Sequence, residues 1–302
     1  MKIKTMKHGF LGTDQGVRFD VDYVKAKAVI IPFGMEAHVS YGAGTKNGPK
    51  AILKASHELN ENDEQTLQAV YKCGLSTLKE PKIPKDSAKA IKLLKETTKK
   101  VLEDKKFPVI LGGEHALLSG SLGAVCEHFH DVSILHFDAH ADLRKKYRGS
   151  IHSHASALRR AMENLPIKRL VSVGIRTVSE VDDELGFILR EKKRLKIFWG
   201  WEKLLAKKIV VAIPTKNVYI TFDVDAFDLS IMPSTGTPEP GGLTWWQTVE
   251  ILKLAFREKN VVGFDVVEHS PIKNLPGPDF LVARLIYKMI GYKFFSTKTK
   301  AK

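Results

Sequence analysis

The stretch Val132-Ser133-Ile134-Leu135-His136-Phe137-Asp138-Ala139-His140-Ala141-Asp142 runs a short apolar segment straight into three side chains of the kind that bind metal. Similar runs, rich in Val and Ile, recur at residues 28–33, 107–111, 170–174, 196–199, 218–222 and 261–267. Longer helical patterns lie between them, and that alternation is the signature of βαβ units around a parallel sheet. Over residues 86–105, Ala88, Ile91, Leu94, Val101 and Leu102 fall near one helical face, with Asp86 or Ser87 placed to cap the first turn. Thr244-Trp245-Trp246-Gln247 has capping-box spacing and opens another helix. A last helix is expected over residues 279–290, behind a Pro276-Gly277-Pro278 turn. In such sheets ligands bind at the carboxyl ends of the strands, where the loops converge.

Asp138, His140 and Asp142 stand at every second position. Side chains of an extended chain alternate with period two, so all three face one side and can meet at one point. Asp223-Val224-Asp225 ends another strand with the same spacing, and Asp228 follows. A third strand ends in Gly112-Gly113-Glu114-His115, whose glycines let the backbone turn sharply and bring His115 to the same rim. Each piece alone is ordinary, because an aspartate at a strand end is more often a helix cap and a buried histidine is usually satisfied by a carbonyl. Together, four aspartates and two histidines cannot share a low-dielectric crevice without cations to neutralise them.

The nature of the ion follows from ligand softness. Carboxylates and imidazoles without a thiolate favour a harder divalent ion such as manganese, with nickel, cobalt and zinc open because imidazole suits them too. Six ligands exceed one tetrahedral site and carboxylates can bridge, so two ions about 3.5–4 Å apart are expected. Asp138, Asp142, Asp223 and Asp225 together carry −4, which two divalent ions cancel. A bridging hydroxide then leaves a negative centre that favours a cationic electrophile over a phosphate.

Composition narrows the field further. With 302 residues, 43% of them apolar and 27% charged, the chain is ordinary globular protein and neither disordered nor collagenous. No apolar run approaches the roughly 20 residues of a membrane helix, and residues 1–13 lack the apolar stretch of a secretory signal, which points to the cytoplasm. Cys73 and Cys126 are far apart and form no CxxC pair, as expected of reduced thiols. The net charge of +14 would attract nucleic acid by simple electrostatics. Yet the lysines are spread over helix-like segments such as Lys89, Lys92, Lys95 and Lys99, and no zinc finger, RNP-like stripe or basic tail longer than Lys298 to Lys302 accompanies them. Solvated faces account for that charge, and no nucleic-acid or membrane partner is expected.

Gly112-Gly113-Glu114-His115, the run from His136 to Asp142, Asp223-Val224-Asp225-Ala226-Phe227-Asp228, Gly236-Thr237-Pro238-Glu239-Pro240-Gly241-Gly242-Leu243 and Asp265-Val266-Val267-Glu268 resemble, in that order, the motifs of the ureohydrolase family of arginases and agmatinases. Residues 40–52, which begin Ser40-Tyr41-Gly42-Ala43-Gly44-Thr45, resemble the agmatinase branch in particular. The resemblance implies one domain over residues 1–302, with a core at about 28–290, built as a three-layer α/β/α fold around a mostly parallel sheet. It implies two Mn2+ ions and hydrolysis of a guanidino group to urea and an amine. Agmatine or a derivative such as aminopropylagmatine is the first choice of substrate, with guanidinobutyrate, arginine and formiminoglutamate as alternatives. By position, His115 and Asp142 are implied to bind one ion, His140 and Asp225 the other, and Asp138 and Asp223 both. Glu268 is implied to hold the guanidinium, and His154 to shuttle protons to the leaving amine, as suits an imidazole titrating near neutrality. Asp142 counts with these two as catalytic, and a homo-oligomer, trimer or hexamer, is implied as the assembly.

Several positions depart from the family pattern. Glu114 replaces the usual Asp, and its extra methylene is expected to shift His115 or a neighbouring hydrogen bond. Ala155-Ser156 and Leu229 differ from the common Gly-Thr and Pro. Arg144-Lys145-Lys146-Tyr147-Arg148 is basic where related sequences often carry acids, which would disfavour a dicationic amine if those charges face the entrance.

Overall fold

The seven apolar runs, together with the unforeseen Leu75–Thr77, form eight strands: β1 (Ala28–Phe33), β2 (Leu75–Thr77), β3 (Phe107–Gly112), β4 (Val132–Phe137), β5 (Leu170–Ile175), β6 (Leu195–Trp199), β7 (Asn217–Asp223) and β8 (Asn260–Val267). They join one sheet in the order β6-β5-β4-β7-β8-β3-β1-β2, and every pairing in it is parallel. This computed structural model describes residues 3–14, 17–38 and 40–295, so the tail from Lys298 to Lys302 lies outside the described residues. All six residues of β1, β3, β4 and β5 are buried, which explains why these strands read as continuous apolar runs rather than alternating ones.

Helices cover both faces. Helices α1 (Gly48–Ser56), α6 (Ala206–Val211), α7 (Trp245–Glu258) and α8 (Pro276–Phe295) pack on one side with Ile30, Val109, Phe137 and Phe222. On the other side α2 (Ser87–Glu103), α3 (Leu118–His128), α4 (Ala157–Asn164) and α5 (Glu184–Arg190) pack with Val29, Ile31, Ile134 and Tyr219. The three-layer α/β/α expectation is met. No helix among the described residues is long and apolar enough to cross a membrane.

The predicted caps form as read. Asp86 accepts from Lys89 N at 2.8 Å, and Thr244 and Gln247 close a reciprocal capping box. The last helix differs from expectation, because Pro276-Gly277-Pro278 forms its first turn instead of preceding it. The first N–H groups of a helix have no intrahelical acceptor, so proline there forfeits nothing. Helix α3 escaped the sequence reading because its glycines and alanine look like a loop. They are there for close packing: a Cβ on Gly120 would sit 2.5 Å from the Ile91 carbonyl of α2.

Both cysteines are free, and burial pushes the Cys73 thiol up to about 12 and Cys126 up to about 11. Helix α8 carries a buried cation, Lys288, whose Nζ lies 2.6 Å from Asp63 Oδ2 and 2.7 Å from Glu64 Oε1. Asp63 is itself buried and also accepts from the backbone N–H groups of Gln65 and Thr66. Replacing Lys288 by Met leaves that carboxylate without its cation. We expect Lys288→Met to lower the unfolding free energy by about 3 kcal/mol, read from urea denaturation, because an uncompensated buried charge is costly.

Candidate active site

Four adjacent strands of the sheet, β4, β7, β8 and β3, deliver the predicted ligands to one rim. Asp138 follows β4 directly, and Asp223 is the last residue of β7. The even spacing proves the right clue for a reason other than the one expected. Asp142 does not continue an extended chain: its φ of 52° is left-handed, and its carbonyl accepts from Leu158 N and Arg159 N at the start of α4. That turn brings its carboxylate back to His115. Asp225 likewise sits in a single 3-10 turn, Val224–Ala226, where its own N–H donates to Asp223 Oδ1 at 2.9 Å.

His115 reaches the rim by close approach rather than by a glycine-only backbone angle. A Cβ on Gly113 would lie 2.0 Å from the Met35 carbonyl, so only glycine lets β3 pass the loop after β1. The His115 N–H donates to Glu268 Oε1 at 2.7 Å, and His115 Nε2 is 2.8 Å from Thr221 Oγ1. Thr221 donates to Asp265 Oδ1 at 2.5 Å, and Asp265 Oδ2 accepts from Tyr219 and Ser121. With its hydroxyl proton committed to Asp265, Thr221 is left to accept, so Nε2 carries the imidazole proton. Nδ1 then faces Asp142 Oδ2 at 3.0 Å, Asp138 Oδ2 at 3.3 Å and Asp223 Oδ2 at 3.7 Å with no hydrogen bond to any of them.

The remaining donors close around Asp138. His136 Nε2 bonds Asp138 Oδ2 at 2.8 Å while its Nδ1 bonds Ser172, and the His140 N–H donates to Asp138 Oδ1 at 2.6 Å. His140 Nδ1 lies 3.0 Å from Asp225 Oδ2, and the Ala139 N–H donates to Asp225 Oδ1 at 2.9 Å. Two triplets of donor atoms are close enough to hold an ion: His115 with His136 and Asp138, and Asp138 with His140 and Asp225. Asp138 belongs to both. Asp228 stands apart, its carboxylate spent on the Gly241 and Gly242 N–H groups.

The electrostatics are those of crowded anions. Burial, then the charge of Asp138, raises Asp142 to about 7, and burial with Asp225 and Asp138 raises Asp223 well above the carboxylate range. Asp138 goes the other way: burial opposes its charge, but the His115 and His136 imidazoles beside it outweigh it. An imidazole nitrogen left without a partner before three carboxylate oxygens, beside two carboxyls that burial pushes up, is the environment a divalent cation completes. The donor set therefore fits metal.

Glu268 also has a left-handed φ, 61°, and lines the same pocket of about 400 Å³. Its pKa is raised, first by burial. His154 sits in the 3-10 turn His154–Ser156, with Nε2 2.7 Å from Ser40 Oγ and the Tyr147 ring edge-on at 5.4 Å. Burial pushes its pKa down to about 4, aided by His140 and His115, so it does not titrate near neutrality as the sequence reading expects. The Glu114 departure is absorbed outside the rim: Oε2 accepts from the Ala37 and His38 N–H groups at 2.8 and 2.7 Å. Of the basic segment, Arg144 and Tyr147 line the pocket, together with Glu184 and Glu239.

Sequence reasoning passed over His136, Thr221, Ser40 and Arg176. His136 was within reach, two residues before Asp138 on the same side of β4. Thr221 is two before Asp223 in the same way. Arg176, which ties the Asp225, Glu239 and Pro240 carbonyls together, leaves no local signal because its partners are distant in sequence.

The arginase family model matches residues 26–291. The chain is 37% identical to the N(1)-aminopropylagmatine ureohydrolase of Thermus thermophilus over 91% of this chain and 92% of that one. It is 33% identical to the protein of the same name from Synechocystis, over 89% and 90%. Among solved structures, the agmatine ureohydrolase of Thermoplasma volcanium superposes with a TM-score of 0.82 at 28% identity, covering 90% of this chain and 92% of that one.

A cation-completed rim makes stability depend on metal. Protein stripped by chelation gains about 2.7 kcal/mol per independent site at a hundredfold excess of free Mn2+ over its Kd, seen as a higher Tm. Superimposable melting curves with and without divalent ions would show that the rim holds none.

Proposed function

The chain belongs to the arginase family, and from that premise we propose that it cleaves the guanidino group of agmatine or of an aminopropyl derivative, releasing urea and the amine. It is a hydrolase acting on guanidino compounds. The observation that carries the finer reading is Asp138, itself buried and shared between two triplets of metal donors.

In this reading His115, Asp138, His140, Asp142, Asp223 and Asp225 would hold the two divalent ions. Manganese suits that oxygen-rich set. When bound, the ions neutralise the carboxylates and supply hydroxide as nucleophile at neutral pH. The protein's own groups do the rest. Glu268, one oxygen of which is fixed by the His115 N–H, offers the other to the guanidinium as a charge-assisted acceptor. His154 hands a proton to the amine nitrogen as that nitrogen parts from the guanidinium carbon. Held neutral by burial, it is a strong donor once protonated.

The pocket wall supports an amine tail. Glu184 and Glu239 line it, whereas Arg148 of the basic segment donates to the Ser40 carbonyl and lies over the Tyr147 ring. Arg144 alone of that segment's cations lines the pocket, and it is the feature that keeps an acid-tailed substrate such as guanidinobutyrate or arginine as the second reading.

Manganese-loaded protein is expected to release urea from agmatine or aminopropylagmatine in preference to guanidinobutyrate and arginine. A panel that yields urea from none of them refutes the proposal. Asp138→Ala is expected to lose bound metal, measured by elemental analysis, together with urea release; full activity in that variant would remove Asp138 from the ligand set.

A further inference from the structure

The imidazole assigned to proton transfer is held by a part of the chain that the reaction above does not use. Ser40 Oγ lies 2.7 Å from His154 Nε2. The segment bearing Ser40 is tied down on both sides. Before it, the buried Glu114 carboxylate accepts from the consecutive N–H groups of Ala37 and His38, and after it Glu36 accepts from Gly44 N at 2.6 Å. From across the pocket, Arg148 Nη2 donates to the Ser40 carbonyl at 3.2 Å. The Arg148 guanidinium also lies 5.3 Å from the centre of the Tyr147 ring, which in turn meets His154 edge-on. Two separate pieces of chain thus converge on one ring.

The torsion that orients an imidazole has broad wells, so a histidine used in proton transfer needs partners that fix its plane and the role of each nitrogen. Ser40 supplies such a partner at Nε2. Its hydroxyl is only as well placed as its backbone, and two of the ties to that backbone come from departures noted in the sequence, Glu114 and Arg148. A side chain one methylene shorter than Glu114 would fall short by about 1.5 Å, outside hydrogen-bond range of Ala37 and His38 as they stand. Arg148, for its part, bonds Ser40 directly.

We propose that Ser40 is the positioning residue for His154, and that Glu114 and Arg148 act through it by fixing the backbone of Ala37, His38 and Ser40 beside the pocket. The inference rests on the reading of His154 as the proton carrier. It gives Glu114 and Arg148 a shared purpose unrelated to metal binding or to substrate charge.

The test uses the metal-loaded enzyme. Ser40→Ala is expected to lower kcat about tenfold with KM changed less than about twofold, a part of the hundred- to ten-thousandfold that a positioned proton carrier supplies. Ser40→Thr, which keeps the hydroxyl, is expected to stay within about threefold of the parent kcat on the same scale. Arg148→Met, at an exposed position, is expected to lower kcat in the same direction by a smaller factor. The ring-nitrogen NMR signals of His154, which require no turnover, are expected to move in Ser40→Ala and to stay in place in Ser40→Thr. Failure of the unmodified enzyme to make urea would count against the proposed function, and the NMR comparison would still judge Ser40. Parent-like kcat in Ser40→Ala with unmoved His154 signals would overturn the inference.

Discussion

The rim at the carboxyl ends of β3, β4, β7 and β8 is organised by one constraint: four aspartates are buried within reach of one another. Carboxylates taken out of water repel and seek protons, as the raised pKa values of Asp142 and Asp223 record. The polypeptide answers part of that demand itself. The backbone N–H groups of Ala139, His140 and Asp225 each donate to one of these carboxylates, and His136 holds a further oxygen of Asp138. These bonds orient the anions without neutralising them. The residual negative charge is what selects a cation, and a guanidinium beyond it, over a phosphate.

How much of this could be read from the sequence depends on whether the cause is local. The strands were legible because a sheet covered on both faces needs unbroken apolar runs, and the ends of β4 and β7 were legible because ligands cluster there. Helix caps follow from three or four consecutive residues and were read as they form. The failures share a different cause. Asp142 and Asp225 converge through a left-handed residue and a 3-10 turn, and nothing in their spacing distinguishes these from an extended chain. The first turn of α8 reads as a loop because its prolines are tolerated only there. Glu114, Arg148 and Ser40 belong together only after residues 76 and 108 positions apart have met.

The His115 relay shows how the sheet serves the site beyond placing strand ends. Thr221 and Tyr219 lie on β7 and Asp265 on β8, paired in parallel so that Thr221 stands opposite Asp265. Both positions are fully buried, and the carboxylate of Asp265 is satisfied by three hydroxyls instead of a cation. A buried carboxylate of that kind costs stability unless its network is complete. Its return is a histidine held by Thr221 at Nε2, so that Nδ1 faces the rim.

Two strained backbone positions lie at the same rim. Asp142 and Glu268 both adopt left-handed backbone angles that residues other than glycine seldom take, Asp142 buried and Glu268 half-buried at the rim. Such a residue costs on the order of 1–3 kcal/mol and persists only where its surroundings leave no alternative. Here the surroundings are explicit: the Asp142 carbonyl caps α4, and the Glu268 N–H is held by the Gly113 carbonyl at 2.9 Å while its carboxylate takes the His115 N–H. Each strained residue is therefore locked to the loop that carries His115 or to the helix that follows the aspartates. A site whose negative charge opposes its own assembly needs a frame of this kind, stiff enough that carboxylates remain close before any cation arrives. The parallel sheet supplies the stiffness, and the two left-handed turns aim its strand ends inward.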